Sequence, residues 1–152
     1  MASLKSKKST VLVFGTFDLL HPGHVYFLTQ AARYGSVVVA LTLDELCQYY
    51  KGKPALNEFA VRKQRLLQLA PIKEVTPADD QPGHFGVVDR VAPDVVVLGY
   101  DQLTLVKALR RRWLSLRTHP RLIELGPYRI HLYQSSRLRR LAVVPNTLAH
   151  AI

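Results

Sequence analysis

Three short, unbroken runs of apolar, mostly β-branched residues limit the fold of this chain more than any other feature. They occupy residues 10–14, 37–42 and 95–98, and the first and third stop at a glycine. Runs without polar alternation are typical of strands that helices bury on both faces. Because segments with helical spacing lie between them, the sequence predicts an α/β fold, a Rossmann-like doubly wound parallel sheet with helices on both faces.

The segments between these runs carry the signs of helices. A first helix is predicted from Pro22, which suits the first helical position, towards Gly35, which suits the stop. Further helices are predicted at residues 59–69, 85–91, 103–116 and 135–141, and further strands at 74–76 and 128–133. Such a sheet binds ligands at the carboxyl ends of its strands, where the strand order reverses. We therefore expect the functional residues just after the strands.

Length and composition favour one globular domain. The 152 residues, 48% of them hydrophobic, suffice for one core, and we expect a basic tail at residues 1–9 and a single domain at 10–152. The lone cysteine cannot form an intramolecular disulfide, and no apolar run approaches the roughly 18 residues of a membrane span. We expect a cytoplasmic protein with no membrane partner.

The charge balance predicts an anionic ligand. There are 21 Lys and Arg against 11 Asp and Glu, which gives a formal net charge of +10, so the protein attracts anions over several ångströms. The basic residues fall in scattered groups, and neither an aromatic stripe nor a known nucleic-acid module accompanies them. We therefore expect a mononucleotide phosphate as the ligand, and no nucleic acid.

The turn after the first strand carries the strongest signal in the chain. Gly15 and Gly23 let the backbone approach a ligand, and the helix that starts near Pro22 presents unpaired N–H groups and a positive dipole end to an anion. His21 and His24 are three residues apart, so both can reach one polyphosphate. Donors of this kind stabilise charge on an α-phosphate and on leaving pyrophosphate. The alternative is that the two histidines merely cap a helix or bind a metal.

Residues 15–24, GTFDLLHPGH, resemble the signature of the cytidylyltransferase-like nucleotidyltransferases, in which an HxGH motif follows a GTFD turn. The resemblance covers most of the chain, from residue 11 to about residue 140. It implies that His21 and His24 stabilise the transition state. It also implies that Thr16 and Phe17 belong to the pocket for the triphosphate and nucleoside, and we assign Asp18 of the same turn to nucleotide binding.

Several charged residues follow the second predicted strand. As isolated features, Lys51, Lys53 and Arg62 would be solvated surface charges. In the resembled family a lysine here and an arginine on the following helix contact the triphosphate, which implies this role for Lys51 and Arg62. An arginine can hold two phosphate oxygens in a fixed geometry. Asp44 either caps a helix or contacts the acceptor, since related enzymes often carry an acidic residue there.

A third group of candidates follows the strand at residues 95–98. Gly99 permits close approach of a ligand, and Tyr100 and Gln102 would flank the nucleoside. Asp101 has three candidate roles: it accepts hydrogen bonds from ribose hydroxyls, helps to hold Mg²⁺, or stabilises the turn.

The last predicted helix opens with Ser135, Ser136 and Arg137, where two hydroxyls, backbone N–H groups and a guanidinium converge on one anion. A plain helix cap explains only one of the serines. In the resembled family a similar serine or threonine pair binds the β- or γ-phosphate, which implies the same role here.

The residues favour a direct transfer of a nucleoside monophosphate. No set for covalent catalysis stands out, so in-line attack by the acceptor's phosphate, assisted by Mg²⁺, is the simpler mechanism. The HPGH turn, the KGKP loop, LGYDQ and a serine pair without an RTEGIS stretch most resemble archaeal-type FAD synthases, which adenylylate FMN. Glycerol-3-phosphate cytidylyltransferase and phosphopantetheine adenylyltransferase are the alternatives, so the nucleotide is ATP or CTP.

Two functions outside catalysis stay open at this point. One is a binding module that senses nucleotides without turnover, against which the intact His21, His24 and Lys51 argue. The other is a basic nucleic-acid binder, whose affinity would fall steeply with salt for any DNA or RNA. Members of the resembled family are often dimers, which suggests a homodimer.

Overall fold

The computed structural model describes residues 7–127 and shows five strands with helices between them. The strands are β1 Thr10–Gly15, β2 Ser36–Leu41, β3 Ile72–Pro77, β4 Val95–Leu98 and β5 Arg121–Glu124. The α-helices are α1 Pro22–Ala31, α2 Asp44–Lys51, α3 Phe59–Leu67, α4 Gly86–Val91 and α5 Leu103–Arg112. Single 3₁₀ turns at Ala32–Tyr34 and Trp113–Ser115 extend α1 and α5.

These strands form one parallel sheet in the order β3-β2-β1-β4-β5. β1 lies at the centre and pairs in parallel with β2 over its whole length and with β4 at Val11 and Leu12. The chain winds first towards β3 and then, from β4 onward, towards β5, so the direction reverses between β1 and β4. The predicted Rossmann-like parallel sheet is confirmed.

Helices cover both faces of the sheet because the central strands present apolar side chains in both directions. Val11 and Val13 of β1 pack into one core with Leu28 of α1 and Leu66 of α3. The alternate residues of β1, such as Leu12, pack into a second core. Val87 and Val88 of α4 and Val106 and Leu109 of α5 complete that second core. Unbroken apolar strands follow directly from burial on two sides.

The structure adds two elements that the sequence did not predict. Helix α2 is largely polar, and its only buried residue is Cys47, so it lacks the apolar spacing that predicts a helix. Strand β5 has the pattern RLIE with exposed ends, and among the described strands it pairs only with β4. An edge strand needs no long apolar run, since one side is not covered by another strand.

The other predictions differ from the structure mainly at their ends. Helix α3 stops two residues earlier than predicted, and β3 is longer than its predicted three residues. The strand predicted at 128–133 and the helix predicted at 135–141 lie outside the described residues. Within residues 7–127 no helix is long and apolar enough to cross a membrane.

Candidate active site

One pocket of about 510 Å³ opens at the carboxyl ends of β1 and β4, at the point where the strand order reverses. This is the position at which doubly wound sheets bind ligands. Most of the predicted site residues line it: Gly15, Thr16, Phe17, Asp18, His21, Gly23, His24, Lys51, Gly99, Tyr100, Asp101 and Gln102. Asp44 and Arg62 do not line it, and Ser135, Ser136 and Arg137 lie outside the described residues.

The turn after β1 is shaped by the close packing of Phe17 on Gly15. Phe17 adopts a left-handed backbone conformation with φ of 45° and is buried. Its ring lies so near Gly15 that a Cβ there would come within 2.5 Å of a ring carbon. Glycine is therefore required at the end of β1 so that the turn can fold back over the strand.

His21 caps the N-terminus of α1 with its side chain. Its Nδ1 accepts hydrogen bonds from the backbone N–H of Gly23 at 3.1 Å and of His24 at 3.3 Å. Since Nδ1 is an acceptor in both bonds, the proton of the neutral ring is on Nε2. A Cβ at position 23 would lie 2.9 Å from Cε1 of His21, so glycine makes room for the cap. His21 is thus both a helix cap and a pocket residue.

The two histidine rings stack on each other at the pocket wall. Their centroids are 3.7 Å apart with an interplanar angle of 22°, and Phe17 meets His24 edge-on at 5.2 Å. Nδ1 of His24 is buried and has no hydrogen-bond partner among the described residues. The predicted pairing of the two imidazoles at one open cleft is therefore what the geometry shows.

Both rings are neutral near pH 7. Burial lowers the pKa of His21 from 6.5, against the opposing charge of Asp101. Burial also lowers the pKa of His24 to about 3; the charges of Lys51 and of His21, once protonated at low pH, act in the same direction, and a hydrogen bond to the backbone of Leu19 opposes them. A neutral imidazole donates one N–H. In His21 this donor is Nε2–H, whereas the ring of His24 hydrogen-bonds to the backbone of Leu19. The pair adds no charge of its own.

Asp18 holds the segment at residues 53–57 against the turn. Its carboxylate accepts hydrogen bonds from Leu56 N at 2.7 Å, from Asn57 N at 2.9 Å and from Asn57 Nδ2 at 3.0 Å. Burial alone raises the pKa of Asp18, but these hydrogen bonds bring it below 3.8. The predicted nucleotide contact differs from this arrangement, because both carboxylate oxygens are already engaged within the chain.

Arg62 is fully buried beneath the pocket and bonds only to the chain itself in the described structure. Nη1 donates to the carbonyl of Thr16 at 2.9 Å, Nε to the carbonyl of Asn57 at 3.0 Å, and Nη2 to Asp44 Oδ1 at 2.6 Å. Asp44 also accepts from Phe59 N at 3.1 Å. These contacts differ from the predicted ones, in which Arg62 grips phosphate oxygens and Asp44 meets the acceptor, because α3 turns the arginine inward under the turn.

Gln102 fastens the end of β4 to the end of β1. Its Oε1 accepts from Gly99 N at 2.8 Å and its Nε2 donates to the carbonyl of Phe14 at 2.9 Å. The side-chain amide is thus used to set the shape of the pocket. Asp101 and Tyr100 are exposed at the rim, where they can reach a ligand.

Lys51 is the last residue of α2 and lines the pocket together with Lys53. Gly52 between them has a left-handed φ of 70° that ends the helix, so the chain turns across the mouth of the pocket. Other lining residues, such as Leu19, Cys47 and Leu56, were not predicted. Apolar residues in loops give no sequence signal that separates a ligand contact from ordinary packing.

Metal ligands from the protein are few at this site. Among residues 7–127 no group of three or more His, Cys, Asp and Glu side chains could hold a metal ion. Asp101 is an exposed carboxylate at the rim, near enough to His21 to act on it electrostatically. A cation here would need most of its ligands from a bound molecule.

Comparison with known proteins gives one family and several relatives. A family model described as cytidylyltransferase-like matches residues 12–139. The FAD synthase of Methanohalophilus mahii is 34% identical over 131 residues, which cover 84% of this chain and 89% of that protein. The FAD synthase of Pyrococcus horikoshii is 30% identical over 139 residues, which cover 91% of each chain.

Solved structures show the same fold. A lipopolysaccharide core biosynthesis protein from Thermoplasma volcanium superimposes with a TM-score of 0.73 at 24% identity, over 80% of this chain and 98% of that one. Pantoate-beta-alanine ligase from Francisella tularensis, in complex with beta-gamma ATP and beta-alanine, superimposes with a TM-score of 0.58 at 15% identity, over 95% and 72%.

Proposed function

The chain belongs to the cytidylyltransferase-like family of nucleotidyltransferases, and on that premise we propose that it is an FMN adenylyltransferase. An oxygen of the FMN phosphate attacks the α-phosphorus of ATP, the bond from that phosphorus to the bridging oxygen of the β-phosphate breaks, and FAD and pyrophosphate leave. The observation that carries the reaction type is the stacked pair of neutral histidines at the open pocket. The match to archaeal FAD synthases along most of the chain supports the choice of ATP and FMN.

The histidines and the start of α1 would bind the phosphates. Nε2–H of His21 is a donor whose tautomer the helix cap sets, and the ring of His24, which hydrogen-bonds to the backbone of Leu19, stacks against it. Donors held in place before the reaction stabilise the charge that develops in the transition state by about 3 kcal/mol each. Lys51 adds a positive charge beside His24 that moves with the phosphate oxygens.

The nucleoside would occupy the crevice between the ends of β1 and β4. Gly15 and Gly99 bring the backbone close to the ligand there, and Asp101 and Tyr100 lie at its rim. Asp101 is suited to accept hydrogen bonds from ribose hydroxyls. Thr16 and Phe17 form the floor, so the nucleoside and the α-phosphate follow one path from the crevice to His21.

A divalent cation fits this site in the manner typical of nucleotide enzymes. Mg²⁺ commonly takes one or two carboxylates from the protein and its other ligands from phosphates and water, and Asp101 is such a carboxylate. When bound, Mg²⁺ would neutralise charge on the triphosphate. The chain itself orients the two substrates and holds the leaving pyrophosphate with Lys51 and the donor of His21.

Other features of the proposal rest on the sequence. Binding of the β- or γ-phosphate by Ser135, Ser136 and Arg137 stays a prediction, since these residues lie outside the described part of the chain. The single domain at residues 10–152, the homodimer and the cytoplasmic location are likewise predictions. Each of them is compatible with the proposed reaction.

The proposal is tested with a pyrophosphate-release assay that crosses ATP and CTP with FMN, glycerol 3-phosphate and phosphopantetheine. The expected result is turnover with ATP and FMN alone, with FAD identified chromatographically. Turnover restricted to CTP and glycerol 3-phosphate would make the protein a glycerol-3-phosphate cytidylyltransferase and overturn the proposal. Tight nucleotide binding with no turnover of any pair would make the protein a sensing module.

A further inference from the structure

Two exposed leucines, Leu19 and Leu56, line the same pocket. The side chains of Leu19 and Leu56 are 55% and 79% exposed, and both line the cavity. The two segments that carry them are joined, since the backbone N–H of Leu56 donates to the carboxylate of Asp18, the residue before Leu19. Large aliphatic side chains left in water at one binding pocket are a surface that a ligand can bury.

The segment at residues 53–57, which carries Leu56 and forms a wall of the pocket, is held in place by hydrogen bonds. Asp18 receives three of them from Leu56 and Asn57, and the amide of Asn57 also donates to the backbone carbonyl of Asp18 at 3.1 Å. Arg62 donates to the carbonyl of Asn57 from below. A side chain on such a wall binds with less loss of conformational freedom than one on a loose loop.

Different segments of the chain line two parts of the pocket. Gly99 and Asp101, which follow β4, line one part, and Lys53 and Leu56, from the segment at residues 53–57, line the other. The end beside Asp101 belongs to the crevice between β1 and β4, which takes the nucleoside in folds of this type. The other end, along the segment at residues 53–57, is left for the second substrate.

We propose that Leu19 and Leu56 bind the isoalloxazine ring of the acceptor flavin and that Asp18 is the positioning residue for this contact. The inference rests on the proposed FMN adenylyltransferase function. A flavin ring is flat and its dimethylbenzene part is apolar, so it can cover both leucines, while Lys53 lies beside its phosphate. An acceptor such as glycerol 3-phosphate has no apolar part that would bury them.

The test compares Leu19→Ser and Leu56→Ser with Leu114→Ser, a control at a leucine that is 94% exposed and does not line the pocket. Each pocket variant should raise the KM for FMN by about tenfold and leave the KM for ATP within about twofold. Leu114→Ser should change neither KM value. Leu56→Met, which keeps a large apolar side chain at this position, should retain most of the affinity for FMN. Equal changes in both KM values, or none, would overturn the inference.

Asp18→Asn tests the positioning role separately. Asparagine has nearly the same shape but weakens the hydrogen bonds to Leu56 and Asn57. We expect a raised KM for FMN in this variant, and a smaller further effect of Leu56→Ser in the double variant than in the wild type. If Asp18 were merely structural, melting temperature would fall while the ratio of the two KM values stayed constant.

Failure of the proposed function and failure of this inference give different results. If the unaltered chain forms no FAD from FMN and ATP, the proposed function is wrong. If it forms FAD but the leucine variants keep the wild-type KM for FMN, only the inference is wrong. Quenching of FMN fluorescence on binding, measured without ATP, gives a readout of the leucine contact that does not depend on turnover.

Discussion

His21 shows how one side chain can prepare both a helix and a binding site. By accepting two backbone N–H groups through Nδ1, it satisfies the start of α1 and leaves Nε2 as the donor. The ring of His21 stacks on the ring of His24, which restricts its rotation. Of the two interpretations open from the sequence, the structure shows the helix cap, and phosphate binding by His21 stays a prediction.

At the residue scale, replacement of His24 should mainly reduce the rate of the chemical step. His24→Asn removes one of the two imidazoles at the pocket and the ring that stacks on His21, so kcat should fall about 100-fold or more, with the KM for ATP changed severalfold at most. His84→Asn, at an exposed histidine outside the pocket, is the matched control and should keep wild-type kinetics. Steady-state pyrophosphate release measures both, and a wild-type kcat for His24→Asn would contradict the role of the pair.

His24 also gives the stability of the protein a defined dependence on pH. Its pKa falls from 6.5 in the unfolded chain to about 3 in the fold, so between these values the unfolded state binds the extra proton. Its contribution to stability is complete above pH 6.5 and is lost as the pH falls towards 3. The loss is at most about 1.4 kcal/mol for each pH unit.

Unfolding in urea at several pH values measures this loss. Asp18 and Asp44, whose pKa values lie below 3.8, lose their contributions only under more acidic conditions. Between pH 3.8 and 6.5 the curve for His24→Asn should therefore be flatter than that of the wild type. Parallel curves for His24→Asn and the wild type would show that burial does not keep this ring neutral.

At the scale of elements, Arg62 joins three parts of the chain. From α3 it reaches the turn after β1 through Thr16, the start of α2 through Asp44 and the wall at residues 53–57 through Asn57. Each segment is short and polar, so hydrophobic packing alone would not hold them together. The buried guanidinium lies beneath the pocket and affects the shape of the pocket through the loops that it connects.

Replacement of Arg62 should destabilise the protein. Arg62→Met should lower the free energy of unfolding by about 2 to 3 kcal/mol, less than for a fully buried ion pair because Asp44 is half-exposed. Arg65→Met, at an exposed position on the same helix, should change it by less than about 0.5 kcal/mol. Urea denaturation compares the two, and equal stability of both variants would contradict the joining role of Arg62.

Gln102 is the corresponding link between strands. Gln102→Met keeps the size of the side chain but removes both hydrogen bonds, to Gly99 N and to the carbonyl of Phe14. Since the crevice between β1 and β4 then loses its shape, the KM for ATP should rise about three- to tenfold. Gln64→Met on the exposed side of α3 is the control. An unchanged KM for ATP would show that backbone pairing alone shapes the crevice.

At the scale of the whole molecule, the net charge of +10 should assist the capture of two anionic substrates. An increase of ionic strength from about 0.05 M to about 0.5 M shortens the Debye length to roughly 4 Å. The KM values for ATP and FMN should then rise about three- to tenfold, while kcat stays within about twofold.

A variant in which Arg110, Arg111 and Arg112 are all replaced by glutamine tests whether charges far from the pocket contribute to the attraction of the substrates. These residues are exposed at the end of α5 and do not line the pocket. The variant should show a weaker salt dependence with the same KM at high salt. KM values that do not respond to salt in either protein would confine the attraction of anions to the pocket itself.

The sequence by itself determined the fold class, the turn with its two histidines and the family, because these depend on residue types at short spacing. Unbroken apolar runs predict buried strands, and glycines at residues 15 and 23 mark where the backbone must pass close to other groups. Helix α2 and strand β5 were not predictable in the same way, since their polar residues are held by neighbours distant in the chain.

Only the tertiary structure decided which polar side chains face the pocket and which face one another. Asp18, Asp44, Arg62 and Gln102 carry the same functional groups whether they bind a ligand or another segment of the chain. Their hydrogen bonds span 39, 18, 46 and 88 residues respectively, and no local pattern records a contact at such separation. The physical reason is that a polar group bonds to whichever partner the fold brings within reach, and that partner is set by the packing of the whole chain.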